Sequence, residues 1–377
     1  MKRPFREHHV LQIFDAYLAQ TSPLDYFLSQ YFRANKSVGS KDRKAIAEAV
    51  YGIIRWRGLL DHLIDKPSWE ARYRAYHEFI PEKHLESHAI PLHIRLSFPK
   101  NYFQYLLASL GQERATAFCL ASNTPAPTTV RVNSLKMCRD ELLNKWNPLF
   151  QVSACPKAQH GITFHKKENF FAMPEFKMGL FEVQDEASQL VANLVEVKPG
   201  ERVLDYCAGA GGKALAIATK MNNKGQLFLH DIRAHALAEA KKRLARAGVQ
   251  NAQILHSDAP HKSTLIETCD WVLVDAPCSG SGTLRRNPDM KWKFDETMVD
   301  RLVAEQRSIF AAALPFVKKG GKIAYATCSV LKIENENQAQ YFETAFNLER
   351  QGDYFHSFPE KGGMDGFFGV VFKKTFW

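Results

Sequence analysis

The chain has 377 residues, room for two or three domains, and 45% of them are hydrophobic, ample for a core of its own. Its formal net charge of +10 favours a polyanionic partner, nucleic acid or a membrane surface. No stretch of about 20 apolar residues occurs, and no apolar run follows Met1-Lys2-Arg3-Pro4-Phe5-Arg6, so neither a membrane helix nor a signal peptide is expected. The seven cysteines are scattered without C-x-x-C spacing. That pattern speaks against a zinc site or a redox dithiol, and a metal-free monomer in a reducing cytoplasm is expected.

Residues 1–125 read as helical. Ser22 is a candidate N-cap ahead of Pro23 at the first helical position, and Ser40 is a second cap candidate. Ile46, Val50, Ile53 and Ile54 form an apolar stripe at helical spacing. Lys41, Arg43, Lys44, Arg55 and Arg57 accompany it, either as a solvated face or as RNA contacts. Thr124-Pro125-Ala126-Pro127 breaks the chain. Residues 126–183 then suggest a small α+β module: a strand from Thr128, a helix from Asp140 to Trp146, and a strand at Gly161-Ile162-Thr163-Phe164.

Residues 184–377 alternate helices with strands. Asp185 is placed to cap a helix carrying Leu190, Val191 and Leu194. The strands are Arg202-Val203-Leu204-Asp205, Leu227-Phe228-Leu229-His230-Asp231, Ala252-Gln253-Ile254-Leu255-His256-Ser257-Asp258, then Asp270-Trp271-Val272-Leu273-Val274-Asp275 and Lys322-Ile323-Ala324-Tyr325-Ala326-Thr327-Cys328. Such alternation implies an α/β fold with a doubly wound parallel sheet. Gly366-Phe367-Phe368-Gly369-Val370-Val371-Phe372 looks like an added edge strand.

Cys207-Ala208-Gly209-Ala210-Gly211-Gly212-Lys213 follows the first of these strands, and its glycines let backbone approach a ligand. Asp231 ends the second strand, where an acid commonly binds ribose hydroxyls. Together they indicate a nucleoside-containing cofactor without saying which. Gly209-x-Gly211-x-x-Ala214 also satisfies a dinucleotide fingerprint. Asp258, ending the third strand, is either an adenine ligand or a plain loop carboxylate. Cys207, Cys278 and Cys328 lie at the carboxyl ends of the first, fourth and fifth strands. In a sheet ordered 3-2-1-4-5 these strands are neighbours, and Cys278 and Cys328 face one cleft. Hydride transfer has no use for two thiols there; methyl transfer does.

Asp275-Ala276-Pro277-Cys278-Ser279-Gly280, Tyr325-Ala326-Thr327-Cys328-Ser329 and Asp205-x-Cys207-Ala208-x-x-Gly211-Gly212-Lys213 resemble the motifs of RsmB/Sun-type RNA (cytosine-5-)-methyltransferases. Val183-Gln184-Asp185 and Leu284-Arg285-Arg286-Asn287-Pro288-Asp289 fit as well. The resemblance implies a Rossmann-like class I methyltransferase domain over 184–377, an RRM-like α+β module over 126–183 and a NusB-like helical region over 1–125. It implies S-adenosylmethionine as cofactor and RNA, most of all ribosomal RNA, as partner. By the same resemblance Cys328 is the nucleophile, Cys278 assists product release and Asp275 holds the base. The cofactor is expected on the backbone of residues 207–213 and on Asp231, Asp258 and Asp275, with Lys213 serving either it or the RNA. Gly209-Ala210 replace the family's common Ala-Pro pair, which predicts a less rigid loop.

Overall fold

A computed structural model describes residues 3–17, 22–256 and 260–375. The chain forms two compact units: Met1–Pro125 with Thr283–Asp295, and Ala126–Gly282 with Glu296–Trp377. Among the described residues no helix is long and apolar enough to cross a membrane.

The first unit is all helical. Its longest helix, Ser40–Leu63, buries Ile46, Val50, Ile53 and Ile54 against Val10, Ile13 and Phe14 of Phe5–Tyr17 and against Phe27 and Leu28 of Leu24–Ala34. Pro23 itself occupies the N-cap position of Leu24–Ala34, and Gly39 that of Ser40–Leu63; neither helix has a side-chain cap. Ser40 is therefore the first helical residue rather than the cap.

Three of the five cations considered for RNA are used inside this unit, and the first, Arg43, donates through Nε to the Val38 carbonyl at 2.8 Å. Arg55 is buried and donates to the Arg285 carbonyl at 3.0 Å, while the Arg57 guanidinium lies 4.5 Å from the centroid of the Trp292 ring. Both partners belong to Thr283–Asp295, a stretch that the sequence reading carried inside 184–377. Lys291 there is fully buried, and burial pushes its ammonium pKa well down. A buried cation is tolerated only with acceptors around it. Lys291 has the Arg55 carbonyl at 2.7 Å, Asn123 Oδ1 at 2.8 Å and the Phe98 ring at 4.5 Å. These partners stand more than a hundred residues away in sequence, so local pattern could not assign the segment.

The second unit holds two sheets. The smaller contains β1 (Thr128–Val132), β2 (Val152–Ala154), β3 (Gly161–Phe164) and β4 (Phe181–Val183), antiparallel in the order β2-β3-β1-β4. Val130, Val132, Ile162, Phe164 and Phe181 form one core with Leu142 and Trp146 of the helix Arg139–Trp146. Cys138 caps that helix: its Sγ accepts from Glu141 N–H at 3.5 Å, and its own N–H reaches Glu141 Oε2 at 3.1 Å.

The larger sheet contains β5 (Arg202–Asp205), β6 (Gln226–His230), β7 (Ala252–Leu255), β8 (Cys269–Asp275), β9 (Val317–Thr327), β10 (Glu349–Arg350), β11 (Phe355–Ser357) and β12 (Phe367–Lys373). Its order is β10-β12-β9-β8-β5-β6-β7, with β11 also on β12, and the five central strands from β9 to β7 are parallel. Successive side chains alternate between the two faces. Leu204, Phe228, Val272 and Tyr325 pack under Phe310 and Phe342, while Val203, Leu227, Leu273 and Ala324 pack under Leu215, Ile217 and Leu237. β12 is not an edge: it lies antiparallel to β9, and β10 and β11 cover its far side. Strands of two and three residues carry no periodicity to read, so the sequence shows no cover there. The strand order reverses between β5 and β8, and open α/β sheets bind ligands beyond the carboxyl ends at such a switch point.

Candidate active site

The loop after β5 enters the helix Gly212–Met221 through two left-handed glycines, Gly209 at φ +53° and Gly211 at φ +80°. An alanine followed by proline does not favour the first of these conformations, so the departure from Ala-Pro alters the loop's shape. The loop is also held from outside. Gly209 N–H donates to Asp231 Oδ2 at 2.8 Å. Arg243 donates to the Ala210 carbonyl at 2.8 Å, and Arg131 of β1 to the Gly212 carbonyl at 3.0 Å. Arg243 is itself anchored on Glu182 of β4 at 3.0 Å. Two guanidinium groups thus brace the loop backbone.

Asp231 follows β6 and also accepts from the Arg233 backbone N–H and Nε, both at 2.9 Å. Burial would raise its pKa, but these donors outweigh it and hold the carboxyl below its ordinary value. The next residue, Ile232, is 81% exposed, an apolar surface beside a candidate ribose acid.

Asp205, the last residue of β5, is buried, and no donor reaches either carboxylate oxygen in full hydrogen-bond geometry; the Cys207 N–H is only close by. Burial, then the charges of Asp275 and Asp231, push this carboxyl up to about 8 against the pull of Lys213. Lys213 is buried with Nζ 2.5 Å from Asp275 Oδ2. Burial lowers its pKa, yet the charge and hydrogen bond of Asp275 outweigh that and leave it raised. Cys207 is largely buried, and burial with the nearby carboxylates holds its thiol protonated.

Cys278 follows β8 and Cys328 follows β9, and their sulfurs are 3.3 Å apart. The Cys328 contact, burial, and the charges of Cys328 and Glu334 push the Cys278 thiol well above its ordinary value. That shift favours the neutral form of the Cys278 thiol. The two loops meet along a buried polar seam. Gly282 N–H donates to the Cys328 carbonyl at 2.9 Å, and Ser279 Oγ donates to Glu334 Oε2 at 2.6 Å. A Cβ at Gly282 would lie 2.0 Å from the Gly366 carbonyl oxygen, so the loop leaves no room for a side chain.

The structure thus groups Asp275 with Lys213, Cys278 with Cys328, and Asp231 with Gly209. Asp258 lies outside the described residues. Reading the sequence missed Arg131 and Arg243, because arginines carry no local sign of what they brace. It quoted Asp205 within a motif without giving it work and passed over Glu334, since a carboxylate's burial shows only in the fold.

A class I methyltransferase fold is defined by this sheet and its glycine loop. Residues 192–372 match the family described as 16S rRNA methyltransferase RsmB/F, and residues 98–170 match the RsmF/B-like ferredoxin-like domain. The chain belongs to that family, whose methyl donor is S-adenosylmethionine. It is 33% identical over 258 residues to the ribosomal RNA small subunit methyltransferase B of Pseudomonas syringae, covering 66% of this chain and 56% of that protein. It is 29% identical to the 28S rRNA (cytosine-C(5))-methyltransferase of Mus musculus, over 73% of this chain and 39% of that one. A solved methyltransferase homolog from Pyrococcus horikoshii superposes with a TM-score of 0.66 at 28% identity, over 75% of this chain and 97% of its own. The chain therefore spans less than two thirds of the curated relatives named here. The dinucleotide alternative ends with these matches.

Proposed function

We propose that the chain transfers a methyl group from S-adenosylmethionine to carbon 5 of a cytidine in RNA, ribosomal RNA foremost, through a covalent bond between Cys328 and the base. The pair of thiols 3.3 Å apart at the ends of β8 and β9 carries this reading. S-adenosylmethionine supplies an electrophilic methyl group on a positively charged sulfur. The residues suit such a cation: the carboxylates of Asp231 and Asp275 stand at this end of the sheet, and Asp205, raised to about 8 by burial and by their charges, can give up its proton when a cation binds beside it. The backbone of residues 207–213, the Ile232 side chain and Asp258 would hold the nucleoside.

Carbon 5 of cytosine is a weak nucleophile. Addition of the Cys328 sulfur to carbon 6 turns the ring into an enamine whose carbon 5 takes the methyl group. The carbon-5 proton then leaves, the carbon–sulfur bond breaks and the ring regains aromaticity. Asp275, oriented by Lys213, faces N3 of the base, and the protonated Cys278 assists release. Flipping of the target base into the pocket is expected.

The test is tritiated methyl incorporation into RNA, with the position read by bisulfite sequencing. Cys328→Ala is expected to lose at least ~10³-fold in rate. Cys278→Ala is expected to accumulate a denaturant-resistant protein–RNA adduct instead. Methylation of cytidine by the Cys328→Ala protein would overturn the assignment of roles.

A further inference from the structure

We propose that Glu334 is a positioning residue that sets the Cys278–Cys328 pair: its carboxylate clamps the loop carrying one thiol to the loop carrying the other. The inference rests on the proposed reaction for its meaning, but its geometry stands apart from it.

Glu334 is completely buried in the turn after Cys328. An ionised carboxylate offers about four acceptor positions and no donor. All four are matched. Oε1 accepts from the Ser279 backbone N–H at 2.8 Å and from Gln306 Nε2 at 3.1 Å. Oε2 accepts from the Ser279 hydroxyl at 2.6 Å and from the Ser329 hydroxyl at 2.5 Å. Ser279 adjoins Cys278 and Ser329 adjoins Cys328. Gln306 belongs to the helix Glu296–Ala313 and also donates to the Pro277 carbonyl at 3.0 Å, just before Cys278. One side chain thus joins three elements, and all four donors are neutral. Glu334 itself is fixed, because the Tyr325 hydroxyl donates to its carbonyl at 2.8 Å and the Asn335 amide ties back to the Ser329 carbonyl at 2.9 Å.

The protons around Oε2 are ordered by their neighbours. A carboxylate can only accept, so the Ser279 and Ser329 hydroxyls both turn their protons to Oε2. Ser329 Oγ is then left to accept from Leu331 N–H at 3.0 Å and from Ser281 Oγ at 2.9 Å. A glutamine amide would set its NH2 either against the fixed N–H donors of Ser279 and Gln306 or against two hydroxyls that must turn away. Glutamine is therefore a poor substitute despite its equal size, and aspartate is one methylene short of both loops.

The experiment reads the thiol pair directly. Diamide takes up two electrons and the two thiol protons as one S–S bond forms, and the sulfurs begin only about an ångström beyond a disulfide bond. Loss of two hydrogens is followed by intact mass, and the linked peptides identify the pair. The wild-type protein is expected to join Cys278 to Cys328 readily, with Cys278→Ala as the blank. Glu334→Gln is expected to do so ~10–100-fold more slowly, since a misplacement near 1 Å costs that much. It should also lose kcat for methyl transfer while binding S-adenosylhomocysteine as wild type does, a split that general unfolding would not produce. Ser279→Ala, which removes one arm only, should fall between. Wild-type oxidation in a Glu334→Gln protein that still binds S-adenosylhomocysteine overturns the proposal; if that variant fails to fold, wild-type oxidation in Ser279→Ala does the same. A wild-type protein that oxidises as expected yet methylates no RNA would instead refute the proposed function.

Discussion

At the thiol end of the site, four neutral donors fill both oxygens of Glu334. At the cofactor end, Asp205, Asp231 and Asp275 lie within electrostatic reach of one another, and Asp205 has no donor at full geometry. The first arrangement is satisfied by neutral donors; in the second, Asp275 is paired with Lys213, Asp231 with Arg233, and the buried Asp205 holds a proton up to about pH 8. Reacting groups that form a covalent bond need fixed geometry, whereas a site for a cation gains from a carboxyl that can ionise when the cation arrives. The same contrast runs through the backbone, since the cofactor loop depends on left-handed glycines and braces supplied by distant arginines.

Breaking the charge balance at the cofactor end should have the largest effect. Lys213→Met leaves Asp275 facing Asp205 without its cation. Loss of one partner from a fully buried pair costs ~3–5 kcal/mol, and partial exposure of Asp275 reduces this to ~2–3 kcal/mol. Thermal unfolding should show that loss, along with weaker S-adenosylhomocysteine binding in calorimetry. A variant as stable as wild type would mean that the pair does not carry the balance.

Asp205 sharpens the comparison through pH. Its folded pKa, about 8, lies above the ordinary carboxyl value of 3.8. Between these values the folded state keeps a proton that the unfolded chain releases. Stability therefore falls as pH rises from about 4 to about 8, by no more than ~1.4 kcal/mol per pH unit from this group. Asp205→Asn should remove that part of the slope in denaturation curves taken across the window. Equal slopes in the two proteins would show that Asp205 is ionised throughout.

The smallest effect belongs to the loop backbone. Gly209→Ala meets no close atom, the nearest being Arg233 Nη2 at 3.6 Å, so its cost comes from φ +53° alone. That strain is ~1–2 kcal/mol. It should be visible as a modest drop in melting temperature and a weaker cofactor affinity with kcat for bound cofactor retained.

Much of this molecule is legible in one dimension. The alternation of Val203 with Leu204 and of Trp271 with Val272 requires a sheet covered on both faces, because side chains in a strand point to opposite sides. The strand ends that carry Asp205, Cys278 and Cys328 follow from the same pattern, as does the helix stopped by Gly248, which adopts φ +78°. The seating of Thr283–Asp295 was not legible, because Lys291 and Arg285 find their partners at Asn123 and Arg55. Nor was the cover on β12, whose neighbours are too short to show a period.

The sequence by itself determined that two cysteines stand at neighbouring strand ends beside a glycine loop, since strand order and periodicity are properties of local pattern. Only the tertiary structure decided how closely they approach, where Lys213 points and what aligns the pair. Those outcomes depend on burial and on proton-by-proton matching between residues as far apart as Ser279 and Glu334, or Lys213 and Asp275. No spacing along the chain encodes them.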